Sequence, residues 1–479
     1  MTPSQYTPEE PISSIATALA PAALGIVRVS GKGCIELVSK VFSRPKALLA
    51  APGNTLVYGW IQAPVVECPQ SGCIETTKID EVMLAVYRAP KSFTGEDMVE
   101  IFCHGGPAVV MAIQNLMLKI GFRQANRGEY TFRAFINGKT DLTRAEAVKE
   151  IIDSHTDASR SHAAGRLAGS LYKEIDSIKK LVIDTLAAIE VEIEYPEDEE
   201  TIADSFDRSD LELAARRLSE LADSWRSEKL YQDGARVVLA GRTNAGKSSL
   251  FNAILKEERA IVSDIEGTTR DWLESWASIN GIPVRLFDTA GLRETSDKIE
   301  AQGVEISRSL VHDSDVVLYL IDGTQGPNEE DRAFIENCKE PLIVVYTKMD
   351  KKPVVECPQS GCIETTGCQD IRISSKTGAG LAELFKAITD LLTADLGPAG
   401  AGGTTERTQA GLGSARQKEA ITAALESLRH ALISADDNYT LDAVVQDLED
   451  ALDSLGEVTG EVTPDDVLGS IFANFCVGK

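Results

Sequence analysis

Gly241-Arg242-Thr243-Asn244-Ala245-Gly246-Lys247-Ser248 is the stretch on which the reading of this chain turns. It follows an apolar run at 236–240 and precedes a helical run at 249–255, the strand-loop-helix context that a phosphate-binding loop requires. Glycines are needed there so that backbone N–H groups can converge on phosphate oxygens with no Cβ in the way. Lys247 is placed to neutralise the β- and γ-phosphates and Ser248 to ligate Mg²⁺. The expected nucleotide-binding set in this loop is Asn244, Ala245, Gly246, Lys247, Ser248 and Ser249.

Four further motifs follow in the order that a guanine-nucleotide site demands. Gly267-Thr268-Thr269-Arg270-Asp271 lies where a switch loop puts a threonine on Mg²⁺. Asp288-Thr289-Ala290-Gly291 closes the apolar strand 283–287; Asp288 suits the magnesium shell and the Gly291 N–H the γ-phosphate. Thr347-Lys348-Met349-Asp350 closes the strand 342–346. The Asp350 carboxylate can pair with N1–H and the 2-amino group of guanine, groups that adenine does not present. Ser374-Ser375-Lys376 supplies the outer edge of the base site. Together these predict GTP and GDP as ligands and GTP hydrolysis as the activity. Leu292 stands where many GTPases carry a water-orienting glutamine, so another polar group must do that work. Glu294, Asp297 and Glu300 are the near candidates, against the plainer reading of solvated acids in a switch segment. Asn244 can help bind a monovalent cation beside the phosphates.

Outward from this core the chain reads as multidomain α/β plus α. Strand patterns at 24–31 and 80–88 and an apolar helix at 107–120 predict an N-terminal α/β domain over 1–125. Amphipathic helical periodicity then fills 126–232, with Thr143 and Glu146 at capping-box spacing and the acidic run 195–200 as a solvated break. A Ras-like P-loop G domain occupies 233–393. It is inserted into a helical domain that resumes within 394–479, after a Gly/Ala-rich linker at 397–413. The last helix is expected to use Thr463 as cap with Pro464 in its first turn.

Of the 479 residues, 48 are Lys or Arg and 74 Asp or Glu, a net charge of −26. That balance opposes non-specific binding to nucleic acid, so any RNA substrate needs a local basic patch or a basic partner. The apolar stretch 12–29 follows Glu9 and Glu10 and is interrupted by Pro21 and Gly25, which suits a buried strand better than a signal peptide. The Cys476-Val477-Gly478-Lys479 stretch does not fit a prenylation box. No transmembrane span is expected, and a cytoplasmic location is. Nine cysteines, an odd number, argue for reduced thiols. Residues 64–77 and 353–366 are identical, and each carries a Cys-x4-Cys pair (Cys68 and Cys73; Cys357 and Cys362). A duplicated surface insertion explains them more simply than a split thiolate metal site, because that spacing is loose for zinc and no histidine lies near.

Ser92-Phe93-Thr94-Gly95-Glu96-Asp97, His104-Gly105-Gly106 and the run from Arg127 to Lys139 (RGEYTFRAFINGK) are unnecessary to a generic GTPase. With the G motifs and Phe475-Cys476-Val477-Gly478-Lys479, the chain closely resembles the tRNA-modification GTPase MnmE (TrmE) family over essentially its whole length. The resemblance implies that the N-terminal domain binds 5-formyl-tetrahydrofolate or a related one-carbon folate and makes a homodimer. It implies action with the flavoprotein MnmG on the C5 position of wobble uridine in tRNA, gripped mainly through that partner. Arg28, Glu100, Lys139 and Lys479 match the folate site; as bare residues, Arg28 and Glu100 read as a surface ion pair. The switch loop contributes Ser263, Asp264, Ile265, Glu266, Gly267, Thr268 and Thr269 to the cofactor-binding set. Potassium falls to Asn244, Ser263, the Ile265 carbonyl and Thr268; magnesium falls to Ser248 and Thr269. Glu300 positions the attacking water, Lys247 acts on the phosphates, and Cys476 is implicated in the modification, against a reading as a buried helix-end thiol.

The chain departs from the family at residues 19–25 (LAPAALG in place of a glycine-rich loop), at Thr347 for Asn, Phe132 for Glu and Thr243 for Pro. A ribosome-assembly GTPase would carry a basic RNA-binding module, which is not visible here. A non-hydrolysing scaffold would not retain Lys247, Ser248, Thr269, Asp288 and Glu300.

Overall fold

The computed structural model describes residues 10–64, 76–194, 208–257, 273–288, 310–351, 369–394, 396, 410–436 and 441–478. They divide into two compact units, Met1–Lys149 with Asp442–Lys479, and Glu150–Leu441.

The first unit is built on a six-stranded sheet. Its strands are β1 (Ile12–Ile15), β2 (Ala22–Ser30), β3 (Thr55–Pro64), β4 (Thr76–Tyr87), β5 (Met98–Gly105) and β6 (Arg123–Gln124), in the order β3-β4-β5-β2-β1-β6. The apolar stretch near the N-terminus is therefore two strands, β1 and β2, antiparallel and joined through exposed residues 18–21. Alternation along the strands sends Val27, Val29, Leu84, Ile101 and Ile61 into the core. A helix at Pro107–Lys119 covers them with Ile113 and Met117. The opposite set, Arg28 on β2 and Glu100 on β5, is paired in register across the sheet.

Helices at Glu129–Ile136 and Asp465–Ala473 meet through an aromatic cluster of Phe132, Phe472 and Phe475. Phe132 and Phe472 pack edge to face with ring centroids 5.3 Å apart. Phe132 is fully buried, so the apolar residue where the family usually carries Glu is a core residue here, worth about 3–5 kcal/mol against alanine. Behind it Arg133, also with no exposure, ties three segments together. Its guanidinium donates to Glu129 Oε1 (2.9 Å), Glu96 Oε2 (3.0 Å) and the Glu10 carbonyl (3.0 Å).

Two cap expectations need correction. The helix at Leu142–Asp153 is capped by Asp141, whose Oδ1 accepts the Arg144 N–H at 3.0 Å and the Thr143 hydroxyl. Thr143 lies inside the first turn, with its hydroxyl taken by that carboxylate, so it cannot cap. At the last helix Pro464 takes the cap position with no side-chain bond, and the Thr463 hydroxyl turns back to the Glu457 carbonyl at 3.5 Å.

The second unit pairs helices with a second sheet. Its strands are β7 (Ala235–Gly241), β8 (Leu273–Ile279), β9 (Ile282–Asp288), β10 (Val316–Asp322), β11 (Leu342–Thr347) and β12 (Gln369–Arg372), in the order β12-β11-β10-β7-β9-β8. All neighbours run parallel except β8 against β9. Near-continuous burial along β7, β10 and β11 is what a parallel sheet covered on both faces requires. The last residues of the expected linker are not loose. Gly411, Leu412 and Gly413 are buried, and a Cβ on Gly413 would sit 2.1 Å from Glu150 Oε1. Glu150 and Glu228 both grip Arg166, at 2.7 and 2.6 Å, so this return segment is packed against a buried charge cluster. Among the described residues, no helix is long and apolar enough to cross a membrane.

Candidate active site

In an open parallel sheet, ligands bind beyond the carboxyl ends of the strands. Four strand ends converge here: Gly241 on β7, Asp288 on β9, Asp322 on β10 and Thr347 on β11. The loop after β7 takes positive φ at Gly241 (133°), Asn244 (62°) and Gly246 (98°). At Gly241 a Cβ would come within 2.4 Å of the Leu320 carbonyl, so glycine is obligatory for the close passage over β10. The helix Lys247–Glu257 starts from this loop and points its positive end at the bend. Lys247, almost wholly buried, donates to the Gly241 and Arg242 carbonyls, both at 2.8 Å. The Ser248 hydroxyl donates to Asp288 Oδ2 at 2.9 Å. That hydroxyl and carboxylate are hard oxygen donors side by side, the ligand chemistry magnesium takes.

The guanine motif is bonded to the phosphate loop. The Thr347 hydroxyl, 1% exposed, donates to the Ala245 carbonyl at 2.6 Å. The Lys348 ammonium donates to the Asn244 carbonyl and to Asp322 Oδ2, each at 2.6 Å. The Asp350 carboxylate accepts from the Ser374 hydroxyl at 2.9 Å, which joins the guanine motif to the outer-edge motif. Asp322 was absent from the expected set. Its signal was present: it is the one charged residue closing an otherwise apolar strand, Val316 to Ile321, in the middle of the sheet. Burial pushes its carboxyl up, but Lys348 and Thr324 outweigh that and hold it at about 2.

In the first unit, Arg28 and Glu100 form an ion pair at 2.7 Å with 15% and 13% of their side chains exposed. Arg28 lies 5.5 Å from the Tyr130 ring centroid and 5.8 Å from that of Phe93. Its Nη1 donates to the Gly478 carbonyl at 2.8 Å, while the Tyr130 hydroxyl donates to the Arg28 carbonyl, also at 2.8 Å. Gly478 holds φ 99°, and a Cβ there would fall 2.6 Å from the Ile15 carbonyl oxygen. Cys476 is exposed, two residues along the same docked tail, rather than buried at a helix end. Lys139 donates to the Pro90 carbonyl at 2.9 Å. Arg28, Glu100 and the partly exposed Phe93 ring thus bring charge, hydrogen-bonding groups and an aromatic face together, chemistry that a polar ring ligand can use. Tyr130 was not foreseen; its fully buried ring and hydroxyl, whose pKa burial pushes up, leave it uncharged beside the ion pair.

Family models described as "GTP-binding protein TrmE N-terminus" and "MnmE helical domain" match residues 11–139 and 142–476. The tRNA modification GTPase MnmE of Treponema denticola is 50% identical over 487 residues, covering 99% of this chain and 99% of that protein. The chain belongs to the MnmE family of tRNA-modification GTPases. The corresponding proteins of Treponema pallidum (strain Nichols) and Borrelia turicatae are 43% and 40% identical, covering 99% and 98% of each chain. As an MnmE-family protein it is a P-loop GTP hydrolase with a guanine-nucleotide-binding G domain, and it acts in tRNA modification.

Several MnmE-type residues lie outside the described residues: Ser263, Asp264, Ile265, Glu266, Gly267, Thr268 and Thr269; Thr289, Ala290 and Gly291; Leu292, Glu294, Asp297 and Glu300; and Lys479. The cysteine pairs of the duplicated segments do too. Among the described residues, no group of three or more His, Cys, Asp and Glu is placed to hold a metal ion. The departure at Thr347 has a local consequence. Where Asn offers an amide, Thr347 offers one hydroxyl proton, and the Ala245 carbonyl takes it in preference to the Ile321 carbonyl at 3.3 Å.

Proposed function

We propose that this protein is a potassium-stimulated GTPase whose G domains pair across a homodimer, working with MnmG to build aminomethyl or carboxymethylaminomethyl groups at C5 of tRNA wobble uridine. The observation that carries the G-domain half is the bonded continuity of phosphate loop, magnesium pair and guanine motif. The Arg28–Glu100 pair, with the Gly478 carbonyl on Arg28, supports the folate half.

In this reading Lys247 stabilises charge on the β- and γ-phosphates, Ser248 and Thr269 ligate magnesium, and Asp288 holds its water shell. Asn244, Ser263, the Ile265 carbonyl and Thr268 cradle potassium, which supplies positive charge near the transferring phosphoryl group. Glu300 orients the attacking water, the task Leu292 cannot perform. Asp350, Ser374, Ser375 and Lys376 select guanine. Arg28, Glu100, Lys139 and Lys479 bind the one-carbon folate, and Cys476 serves the modification chemistry. Leu24 at 59%, Leu19 at 54% and Phe93 at 39% exposure are apolar surface that a second copy would cover. The acidic whole favours a reaction in which the partner grips most of the tRNA.

Steady-state GTP hydrolysis in potassium against sodium buffer at matched ionic strength tests the reading. Strong stimulation by potassium is expected. Equal rates in both salts would refute the cation roles of Asn244 and the 263–269 loop while leaving a GTPase.

A further inference from the structure

Asp322 sits at the centre of a hydrogen-bonded chain that no motif describes. Its Oδ1 accepts the Thr324 N–H at 2.9 Å and the Thr324 hydroxyl at 2.7 Å, which fixes the carboxylate. Its Oδ2 receives the Lys348 ammonium, and the same ammonium reaches on to the Asn244 carbonyl. Three strand ends are thereby joined: β10 through Asp322, β11 through Lys348, and β7 through the loop that leaves it. Asp322 and Lys348 keep 12% and 29% of their side chains exposed, so the pair is screened only in part.

The two residues linked by this chain both hold left-handed backbone, which Asn tolerates and Lys disfavours. Asn244 stands at φ 62° and Lys348 at φ 58°. Left-handed backbone at a residue other than glycine persists only where its surroundings over-determine it. The orientation has a use. A trans peptide sets its C=O and N–H on opposite sides. Drawing the Asn244 carbonyl to Lys348 turns the Ala245 N–H inward, onto the Arg242 carbonyl at 3.2 Å, which closes the bend. Drawing the Ala245 carbonyl to Thr347 fixes the next peptide, which carries the Gly246 N–H. Consecutive residues of the guanine motif thus aim consecutive peptides of the phosphate loop, and Asp322 is the group that holds the first of them in place.

We propose that Asp322 is a positioning residue for nucleotide binding, acting through Lys348 to hold the phosphate loop in its phosphate-accepting bend. Its carboxylate is taken up by Thr324 and Lys348. The inference rests on guanine-nucleotide binding alone and is independent of the potassium and folate assignments.

The test is a double-mutant cycle on the full chain, read as the dissociation rate of a fluorescent (methylanthraniloyl) GDP in the presence of Mg²⁺. Asp322→Asn preserves shape and removes the charge. Loss of a charge-assisted bond predicts dissociation faster by roughly tenfold or more, with the association rate little changed. Lys348→Met should show a comparable or larger acceleration. The combined variant should match Lys348→Met within about twofold, because a residue acting only through Lys348 has nothing left to act on. Asp322→Glu keeps the carboxylate and should recover part of the loss. Melting of the nucleotide-free variants controls for the fold, and a misfolded Asp322→Asn leaves the Glu variant to decide. Dissociation of Asp322→Asn within twofold of wild type overturns the proposal, as does an Asp322→Glu variant that dissociates as fast as Lys348→Met. So do effects of Asp322→Asn and Lys348→Met that simply multiply.

Discussion

Replacing Arg133 by Met should cost the first unit about 3 kcal/mol. The guanidinium has no exposure and serves two carboxylates, Glu129 with none and Glu96 with 13%. Removing one partner of a buried pair typically costs about 3–5 kcal/mol, because the remaining charge stays buried without compensation. The structure puts this case at the low end of that range. Glu129 keeps Arg123 at 2.5 Å and the Asn126 N–H at 2.8 Å, and Glu96 is exposed enough to recover some water. For a unit of this size about 3 kcal/mol corresponds to a fall in melting temperature of roughly 6–12 °C. Scanning calorimetry reads it, with GTP hydrolysis in the same samples as a control, since that chemistry belongs to the other unit. The combined change Arg133→Met, Glu129→Gln and Glu96→Gln should recover much of the loss, because the buried carboxylates are then neutral and the part-exposed Arg123 keeps Glu10 at 2.9 Å. A single variant that melts within 2 °C of wild type, or a triple variant no better than the single, would refute the account of this cluster as mutually compensating charge.

Glu300→Ala should abolish turnover while sparing GTP binding; wild-type-like hydrolysis would return the water-positioning role to Glu294 or Asp297. Gly478→Ala puts a methyl group against the Ile15 carbonyl and should dislodge the tail from Arg28. Titration with a reduced folate should then show affinity lowered about tenfold or more, at unchanged GTP hydrolysis; unchanged folate affinity would count against the tail as part of that site. Acid should destabilise the protein in a defined window. Burial raises the carboxyls of Glu129 and Glu228, but Arg123, Asn126 and Arg133 for the first, and His162 and Arg166 for the second, outweigh it and bring both below the ordinary 4.5. Groups with depressed folded values contribute stability above the unfolded value and lose it as pH falls through the folded one. Melting temperature should therefore hold above about pH 4.5 and drop below it, with Glu228→Gln flattening the drop; a flat profile down to pH 3 would contradict the assignment.

What could be read in advance was local. A phosphate loop is a strand, a bend and a helix start within some twenty consecutive residues, so spacing and residue type reveal it, and the structure brings Lys247, Ser248, Asp288, Thr347 and Asp350 to one end of one sheet. Apart from one helix cap, the failures were long-range. Thr143 matched a cap by spacing, yet Asp141, two residues earlier, offered the better acceptor and took the hydroxyl as well. The segment before Ala415 looked like linker because Gly and Ala suit linkers. Gly411 and Gly413 are small for a different reason: Glu228 and Glu150 leave no room for a side chain. Phe132 looked like an anomaly until Phe472 and Phe475 supplied its partners from more than three hundred residues away. Asp322 was passed over because its meaning lies in Lys348 and Asn244, which are close only after β7, β10 and β11 are laid side by side.

The bond from Arg28 to Gly478 joins residues 450 positions apart. A ribosome adding about 5–20 residues per second needs roughly 20–90 s to travel from one to the other. During that interval the N-terminal sheet can form, but Arg28 has Glu100 and no tail carbonyl, and Phe132 has no Phe472. The whole nucleotide-binding unit emerges and folds in between. Birth order therefore runs opposite to completion order: the GTPase half can be finished while the first-made half still waits for its last pieces. A message broken after the G domain would yield a nucleotide-binding product with an unfinished N-terminal unit, exposing the Phe132 surface that protein quality control recognises.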